Sequence, residues 1–285
     1  MHPAVEELLE LIELEQIETN LFRGRNERHA GPRVFGGQVL AQALRASAAT
    51  VEGRYPHSLH GYFLRPGDSR LPILFDVDRI RDGSSFTTRR VRGIQKGEPI
   101  FTMSASFQLA EDGLDHQFPA PDWPSPESLE DDTRVAQRLQ GTDPNVMPWA
   151  TRERPFESRS VYPVGTPQPE APIKPAWYRL RATISNDPIL HCCLLAYCSD
   201  MGLMSTSLVP HMAHTPRAYI IGASLDHAMW FHRPLRVDEW FLYDRDSPTA
   251  VAARGFNRGS FYDRSGRLLA SAAQESLVRV RRDMD

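Results

Sequence analysis

The chain repeats itself, and the repeat limits the folds open to it more than any other feature. His60-Gly61-Tyr62-Phe63-Leu64-Arg65-Pro66 parallels His227-Ala228-Met229-Trp230-Phe231-His232-Arg233-Pro234. Ala105-Ser106-Phe107-Gln108 corresponds, with a slip of about one residue, to Ala270-Ser271-Ala272-Ala273-Gln274. His60 to Gln108 spans 48 positions and His227 to Gln274 spans 47. Self-similarity at this spacing marks one supersecondary unit used twice, so the 285 residues read as two copies of a unit rather than one large domain.

The unit reads as a helix followed by an antiparallel meander. In the first copy Phe35-Gly36-Gly37-Gln38 leads into residues 39–49, which have high helix propensity and an apolar stripe. The paired glycines allow another backbone or a ligand close to the helix start, where free N–H groups favour anions. Strand-like runs follow at 58–64, 73–80, 85–95 and 99–109, separated by Gly/Pro/Asp turns. In the second copy a strand candidate at 156–162 precedes a long apolar helix that opens on Asn186-Asp187-Pro188 and runs to about Ser205. Strand candidates then stand at 218–224, 228–231, 240–244, 250–262 and 268–280. Residues 5–18 carry helical spacing, 21–26 suit an edge strand, and 111–153 form a Pro- and acid-rich connector with a short helix near 128–139. The expected division is therefore 1–110, 111–153 and 154–285, an α+β chain whose two sheets hide each other's unpaired edges by meeting edge to edge.

Lys and Arg total 33 against 36 Asp and Glu, a net charge of -3, which gives no electrostatic case for nucleic acid or an anionic membrane surface. No apolar run is read as approaching the ~20 residues of a membrane span. The start, Met1-His2-Pro3-Ala4-Val5-Glu6-Glu7, is not read as a signal peptide, nor Arg281-Arg282-Asp283-Met284-Asp285 as a peroxisomal tail. The expectation is a cytoplasmic protein whose partner is a small molecule or another protein. Cys192, Cys193 and Cys198 lie in one apolar segment and read as reduced core residues.

Two stretches carry groups suited to chemistry. On the second helix Cys193, Ala196, Tyr197, Asp200 and Met204 fall at spacings of three and four and share a face. A carboxylate on a covered apolar stripe is either a structural partner of a nearby Arg, Ser199 or Ser205, or a general base. The first copy has no acidic residue between Gly36 and Val51, an asymmetry that favours one working site. The second stretch, residues 224–234, places Ser224, Asp226, His227 and His232 among Met, Trp and Phe. A nucleophile elbow at Gly222-Ala223-Ser224-Leu225-Asp226 fails because Asp226 stands at the second glycine position. His211, His214, His227 and His232 match no familiar zinc spacing, and no phosphate loop or dinucleotide fingerprint is present. What remains is activation of a water by Asp200 with a hydroxyl and an amide.

Phe35-Gly36-Gly37-Gln38, Tyr197-Cys198-Ser199-Asp200, residues 224–234, Ala253-Arg254-Gly255 and Ala270-Ser271-Ala272-Ala273-Gln274-Glu275 together resemble the acyl-CoA thioesterase II family over nearly the whole chain. The resemblance implies a double hotdog, two helix-wrapped antiparallel sheets in tandem forming one continuous sheet. It implies cleavage of fatty acyl-CoA to free acid and CoA, with Asp200, Ser224 and Gln274 orienting the attacking water and no metal or redox cofactor. Ser224 departs from the Thr usual at its position, keeping the hydroxyl but losing the methyl that restricts its rotamer. The oxyanion donor is expected at Gly36 or Gly37, and the first copy, with His57 where the second has Ser224, is expected to be inactive. An acyl slot is expected near Tyr197, Met201 and Trp230, and CoA phosphates near Arg254, with Arg65, Arg90 and Arg92 as looser candidates. A homo-oligomer, a dimer of double hotdogs, is also expected. Two rivals stand beside this reading: an enoyl-CoA hydratase using Asp226 and His227, and an acyl-CoA sensor without turnover.

Overall fold

A computed structural model of the chain describes residues 1–27, 31–143, 146, 148–212, 215 and 219–281. His214, the start of the 218–224 strand candidate and the tail 282–285 lie outside the described residues. The first half runs α1 (Pro3–Ile12), β1 (Glu15–Glu18), β2 (Leu21–Gly24), α2 (Gly36–Ala48), β3 (Tyr55–Phe63), β4 (Ile73–Asp82), β5 (Phe86–Gln95) and β6 (Glu98–Gln108). After α3 (Asp132–Leu139) come β7 (Phe156–Ser160), β8 (Ala176–Leu180), α4 (Pro188–Ser199), β9 (Ile220–Ser224), β10 (Asp226–Phe231), β11 (Phe241–Val251), β12 (Arg254–Asp263) and β13 (Leu268–Val280). Among the described residues these strands form one 13-stranded sheet, ordered β1-β2-β4-β5-β6-β3-β10-β13-β12-β11-β8-β7, with β9 added on β13. The halves join where β3 pairs antiparallel with β10, Gly61 opposite His227 and Tyr62 opposite Asp226. The chain is thus the double hotdog that the resemblance implied, α2 and α4 packing together against one face of the continuous sheet.

Several boundaries differ from the sequence reading. The helix expected over 5–18 stops at Ile12, because Glu15–Glu18 pairs with β2 as an edge strand and that pairing overrides helix propensity. The strand expected over 250–262 is broken at Ala252 and Ala253, both at positive φ, which make the two-residue turn between β11 and β12. Strand β8 carries no clear alternation and was not anticipated. The connector does more than link: Ala120, Trp123 and Leu129 cover Trp177, Trp240, Leu242 and Tyr262 on the outer face of the second sheet. Trp123 Nε1 donates to Asp244 Oδ1 at 3.0 Å, and Trp177 Nε1 donates to the Pro124 carbonyl at 2.8 Å.

Helix α4 ends at Ser199 rather than near Ser205, and Met204–His211 continues as a 3₁₀ segment. Pro188–His211 is, contrary to the sequence reading, long and apolar enough on composition to cross a membrane, but its apolar window is 78% buried inside the protein. The last carbonyls of a helix have no intrahelical donor, and here buried side chains supply them. Tyr243 Oη donates to the Ser199 carbonyl at 2.6 Å and Arg245 Nη1 to the Met201 carbonyl at 2.9 Å. Beyond α2, Arg89 Nη2 donates to the Thr50 carbonyl at 3.0 Å in the same way.

The internal symmetry is shifted from the alignment made by eye. The N–H groups of Leu64 and Arg65 both meet the Ile100 carbonyl, as those of His232 and Arg233 meet the Leu269 carbonyl. This sets Arg65 on Arg233 and therefore Leu59, not His60, on His227. Leu59 faces Ala105 across β3 and β6. One step beyond the Ala228–Ala273 pair on β10 and β13, His227 faces Gln274.

Gly259 lies under the ring of Tyr243, where an added Cβ would stand 2.2 Å from Cε2. That ring is fully buried and stacks on Phe261 at 4.0 Å. Gly259→Ala is therefore expected to displace Tyr243 from the α4 terminus and lower stability by about 1–3 kcal/mol. Urea unfolding checks this, and an unchanged midpoint would show that the ring moves aside at no cost.

Candidate active site

Helix α2 begins without a cap of its own, since Phe35 at its N-cap offers no acceptor side chain. Helix α4, by contrast, is capped locally, Asp187 accepting from the Ile189 N–H at 2.9 Å. The acceptor for α2 comes from 163 positions away: the Gly37 N–H donates to Asp200 Oδ2 at 3.0 Å. Asp200 is the C-cap residue of α4, so the end of one central helix closes the start of the other. The approach requires both glycines. A Cβ on Gly36 would stand 2.7 Å from Asp200 Oδ2, and one on Gly37 would stand 2.3 Å from the Tyr197 carbonyl.

The other carboxylate oxygen faces the sheet. Asp200 Oδ1 accepts from Gln274 Nε2 at 2.7 Å and, over a long 3.4 Å, from Ser224 Oγ. Ser224 ends β9 opposite Ser276, and Gln274 and Ser276 project from β13 toward the helices as alternate residues of that strand. Thus α2, α4, β9 and β13 converge on one half-buried carboxylate, and the structure brings together Asp200, Ser224, Gln274, Gly36 and Gly37.

Behind Asp200 the network continues inward. Gln274 Nε2 lies 3.0 Å from His227 Nδ1, Gln274 Oε1 accepts from Ser276 Oγ at 3.0 Å, and His227 Nε2 lies 2.9 Å from Ser199 Oγ. Ser199 Oγ donates to the Ala196 carbonyl at 2.8 Å. Burial pushes the His227 imidazole down from the ordinary 6.5 to about 4, the nearby Asp200 acting the other way. The ring is therefore neutral at physiological pH. Reading the sequence did not find Ser276 or this use of His227; the signal was the alternation Gln274-x-Ser276 on the inner face of β13.

The remaining candidates fall at differing distances from this centre. Tyr197 is buried beside it, its hydroxyl donating to Glu27 Oε1 at 2.6 Å and its ring edge-on to Phe35 at 5.1 Å. Met201 follows Asp200 and is buried. Trp230 is not brought to the site: strict alternation along β10 sends it to the outer face, 37% exposed and edge-on to His60 at 5.2 Å. Arg254 is exposed and pairs with Glu275 Oε1 at 2.8 Å, on the face of the sheet opposite Gln274. Arg65, Arg90 and Arg92 pair with Glu98, Asp78 and Asp76 on the first half. The same alternation separates Asp226 from His227, the first accepting from the Glu275 N–H and the second facing α4, so the acid–base pair a hydratase would use is not assembled.

Of the histidines whose spacing matches no familiar zinc set, His214 lies outside the described residues and His232 meets Ser271 Oγ at 2.9 Å. The three cysteines are unpaired, and burial raises their thiols, Cys193 to about 12, which makes them poor nucleophiles. Two surface cavities, about 420 Å³ beside Asp131, Glu157 and Arg181 and about 480 Å³ beside Glu15, Arg23 and Arg25, lie apart from Asp200.

Residues 150–277 match the family model described as acyl-CoA thioesterase, and residues 25–108 match the acyl-CoA thioesterase N-terminal domain. The chain is 41% identical to human acyl-coenzyme A thioesterase 8, over 95% of this chain and 88% of that protein. It is 36% identical to acyl-CoA thioesterase 2 of Haemophilus influenzae, over 98% and 99% of the two chains. Among solved structures, the acyl-CoA thioesterase II TesB2 of Mycobacterium marinum is similar with a TM-score of 0.81 and 40% identity, over 99% of this chain and 100% of that one.

The depressed His227 pKa ties stability to pH. Between about 6.5 and about 4 the unfolded chain takes up a proton that the folded ring refuses, so this contribution is complete above about 6.5 and lost as pH falls toward 4. His57, His191 and His232, also lowered by burial, act in the same direction. The part due to His227 is about 3 kcal/mol. Urea unfolding across this range is expected to show a flatter pH dependence for His227→Leu than for the wild type; equal slopes would mean the ring is not held neutral.

Proposed function

Because the chain belongs to the acyl-CoA thioesterase family, we propose that it hydrolyses fatty acyl-CoA to free fatty acid and CoA by direct attack of a water held by Asp200, Ser224 and Gln274. That it is a thioester hydrolase follows from the family; the residues and the mechanism are our assignment. Asp200 takes a proton from the water, the oxygen bonds to the thioester carbon, and negative charge moves to the carbonyl oxygen. The C–S bond then breaks, and the proton passes to the departing thiolate of CoA. The Ser224 hydroxyl and the Gln274 amide fix the carboxylate, and with it the water beside it.

Charge on the carbonyl oxygen needs a preorganised donor, worth about 3 to 4 kcal/mol when removed. The first turn of α2 supplies N–H groups without intrahelical acceptors. The Gly37 N–H is engaged by Asp200, so we assign this role to Gly36, one position closer to the helix end. An acyl chain near Tyr197 and Met201 fits the buried side of the site, the exposed Arg254 is assigned to a CoA phosphate, and Trp230 drops out. A cytoplasmic enzyme and a dimer of double hotdogs accompany this reading.

The observation that carries it is the convergence on Asp200 of donors from three other elements, α2 of the first half and β9 and β13 of the second, around a carboxylate that only the second half carries. The first-half counterparts are apolar: Ala49 at the end of α2 for Asp200, and Ala105 for Gln274. Thiol release from acetyl-, octanoyl- and palmitoyl-CoA, followed with a thiol reagent, tests it and reports chain preference. Asp200→Asn is expected to lower kcat by roughly 10²- to 10⁴-fold while substrate binding persists. Ser224→Thr, which keeps the hydroxyl, is expected to stay close to the wild type, and Ser224→Ala to lose activity. An Asp200→Asn variant as active as the wild type would overturn the assignment, and tight acyl-CoA binding without thiol release would favour the sensor.

A further inference from the structure

We propose that His227 is a positioning residue, holding the Gln274 side-chain amide in the one orientation that points an N–H at Asp200. The inference rests on the reading that Asp200 and Gln274 hold the attacking water. A glutamine amide fits a cavity in two orientations that exchange its oxygen and its NH₂. Turned over, Gln274 would place Oε1 against the Asp200 carboxylate, and the base that holds the water would lose its donor.

Two groups exclude that orientation. Ser276 Oγ donates to Oε1 at 3.0 Å, and His227 Nδ1, 3.0 Å from Nε2, accepts the second amide proton. The direction of the second bond is itself determined. Ser199 Oγ gives its proton to the Ala196 carbonyl at 2.8 Å, so toward His227 it is an acceptor. His227 Nε2, 2.9 Å away, must carry the ring proton, and Nδ1 is left as a lone pair for Gln274. The chain of bonds leaves α4 at Ala196 and Ser199, crosses the sheet through His227 and Gln274, and returns to Asp200 at the end of the same helix.

The first half supplies the contrast. At the symmetry-related places stand Leu59 for His227, Ala105 for Gln274, and Ala48 and Ala49 for Ser199 and Asp200. Leu59 is fully buried, so packing at this position is met by an aliphatic side chain, and an imidazole is found where there is an amide to orient. His227, Gln274, Ser199 and Ser276 are all nearly or fully buried, so water does not stand in for a missing partner.

The test is steady-state kinetics of full-length His227→Leu, His227→Asn, Gln274→Ala and the His227→Leu/Gln274→Ala double variant, with octanoyl-CoA as substrate. His227→Leu is expected to lower kcat roughly 10- to 100-fold, the effect of one unpaired buried amide proton, with KM within about twofold. His227→Asn, which restores an acceptor near the Nδ1 position, is expected to recover to within about fivefold of the wild type, and the double variant to be no worse than Gln274→Ala. Nitrogen NMR of the wild-type ring is expected to show Nε2 protonated and Nδ1 bare, a signature that does not depend on any variant folding. A ring protonated on Nδ1, a His227→Leu enzyme of full activity beside an impaired Gln274→Ala, or His227→Asn as impaired as His227→Leu would each overturn this inference alone. Gln274→Ala with wild-type activity would instead overturn the water-holding reading, and this one with it.

Discussion

The contact between the Asp200 carboxylate and the Gly37 N–H is the point on which the rest of the molecule turns. A helix start carries a partial positive charge and N–H groups in need of acceptors, and a carboxylate meets both requirements. A hydrogen bond to an ionised acceptor is also stronger than a neutral one. Here the acceptor belongs to the other half of the chain, so one bond couples the capping of α2, the termination of α4 and the docking of the halves. The geometry is kept by what surrounds it. Gly36 and Gly37 leave room for the approach, and Tyr243 and Arg245 take up the carbonyls on either side of Asp200, so that α4 stops where Asp200 meets α2.

The seam between β3 and β10 serves the same end. Pairing these strands removes two edges that would otherwise be exposed and makes the sheet continuous beneath both helices. Register then decides which side chains reach the interior. His227, Met229 and Phe231 face the helices, while Asp226, Ala228 and Trp230 face outward. A slip of one residue would exchange these sets and remove His227 from Gln274.

Much of this was legible before any coordinates. The repeat announced two copies, the Gly/Pro turns delimited most of the strands of the meanders, and a carboxylate on the apolar face of the second helix singled out Asp200. What was hidden was hidden for identifiable reasons. The Ala252-Ala253 turn has no turn-forming residue to announce it, since its positive φ angles are imposed by the ladder on either side. The end of α4 is set by Tyr243 and Arg245, more than forty positions downstream. Trp230 was assigned to the acyl slot from its neighbours in sequence, but alternate residues of a strand face opposite sides. The alignment of His60 with His227 was one residue out, and that single step concealed the aliphatic counterpart of the histidine.

Joining two copies in one polypeptide has a consequence for symmetry. When two identical chains form such a pair, every substitution appears twice, and a polar cluster introduced on one side is also introduced on the other. A tandem chain is released from that rule. It can keep Leu59 and Ala105 as plain core where rigidity is needed, and place His227 and Gln274 where a carboxylate is to be oriented. The price is multiplicity: each polypeptide of 285 residues offers one such centre where a symmetric pair of the same size would offer two. In exchange, the first half, apart from Gly36 and Gly37 at the start of α2, is free to vary as scaffold.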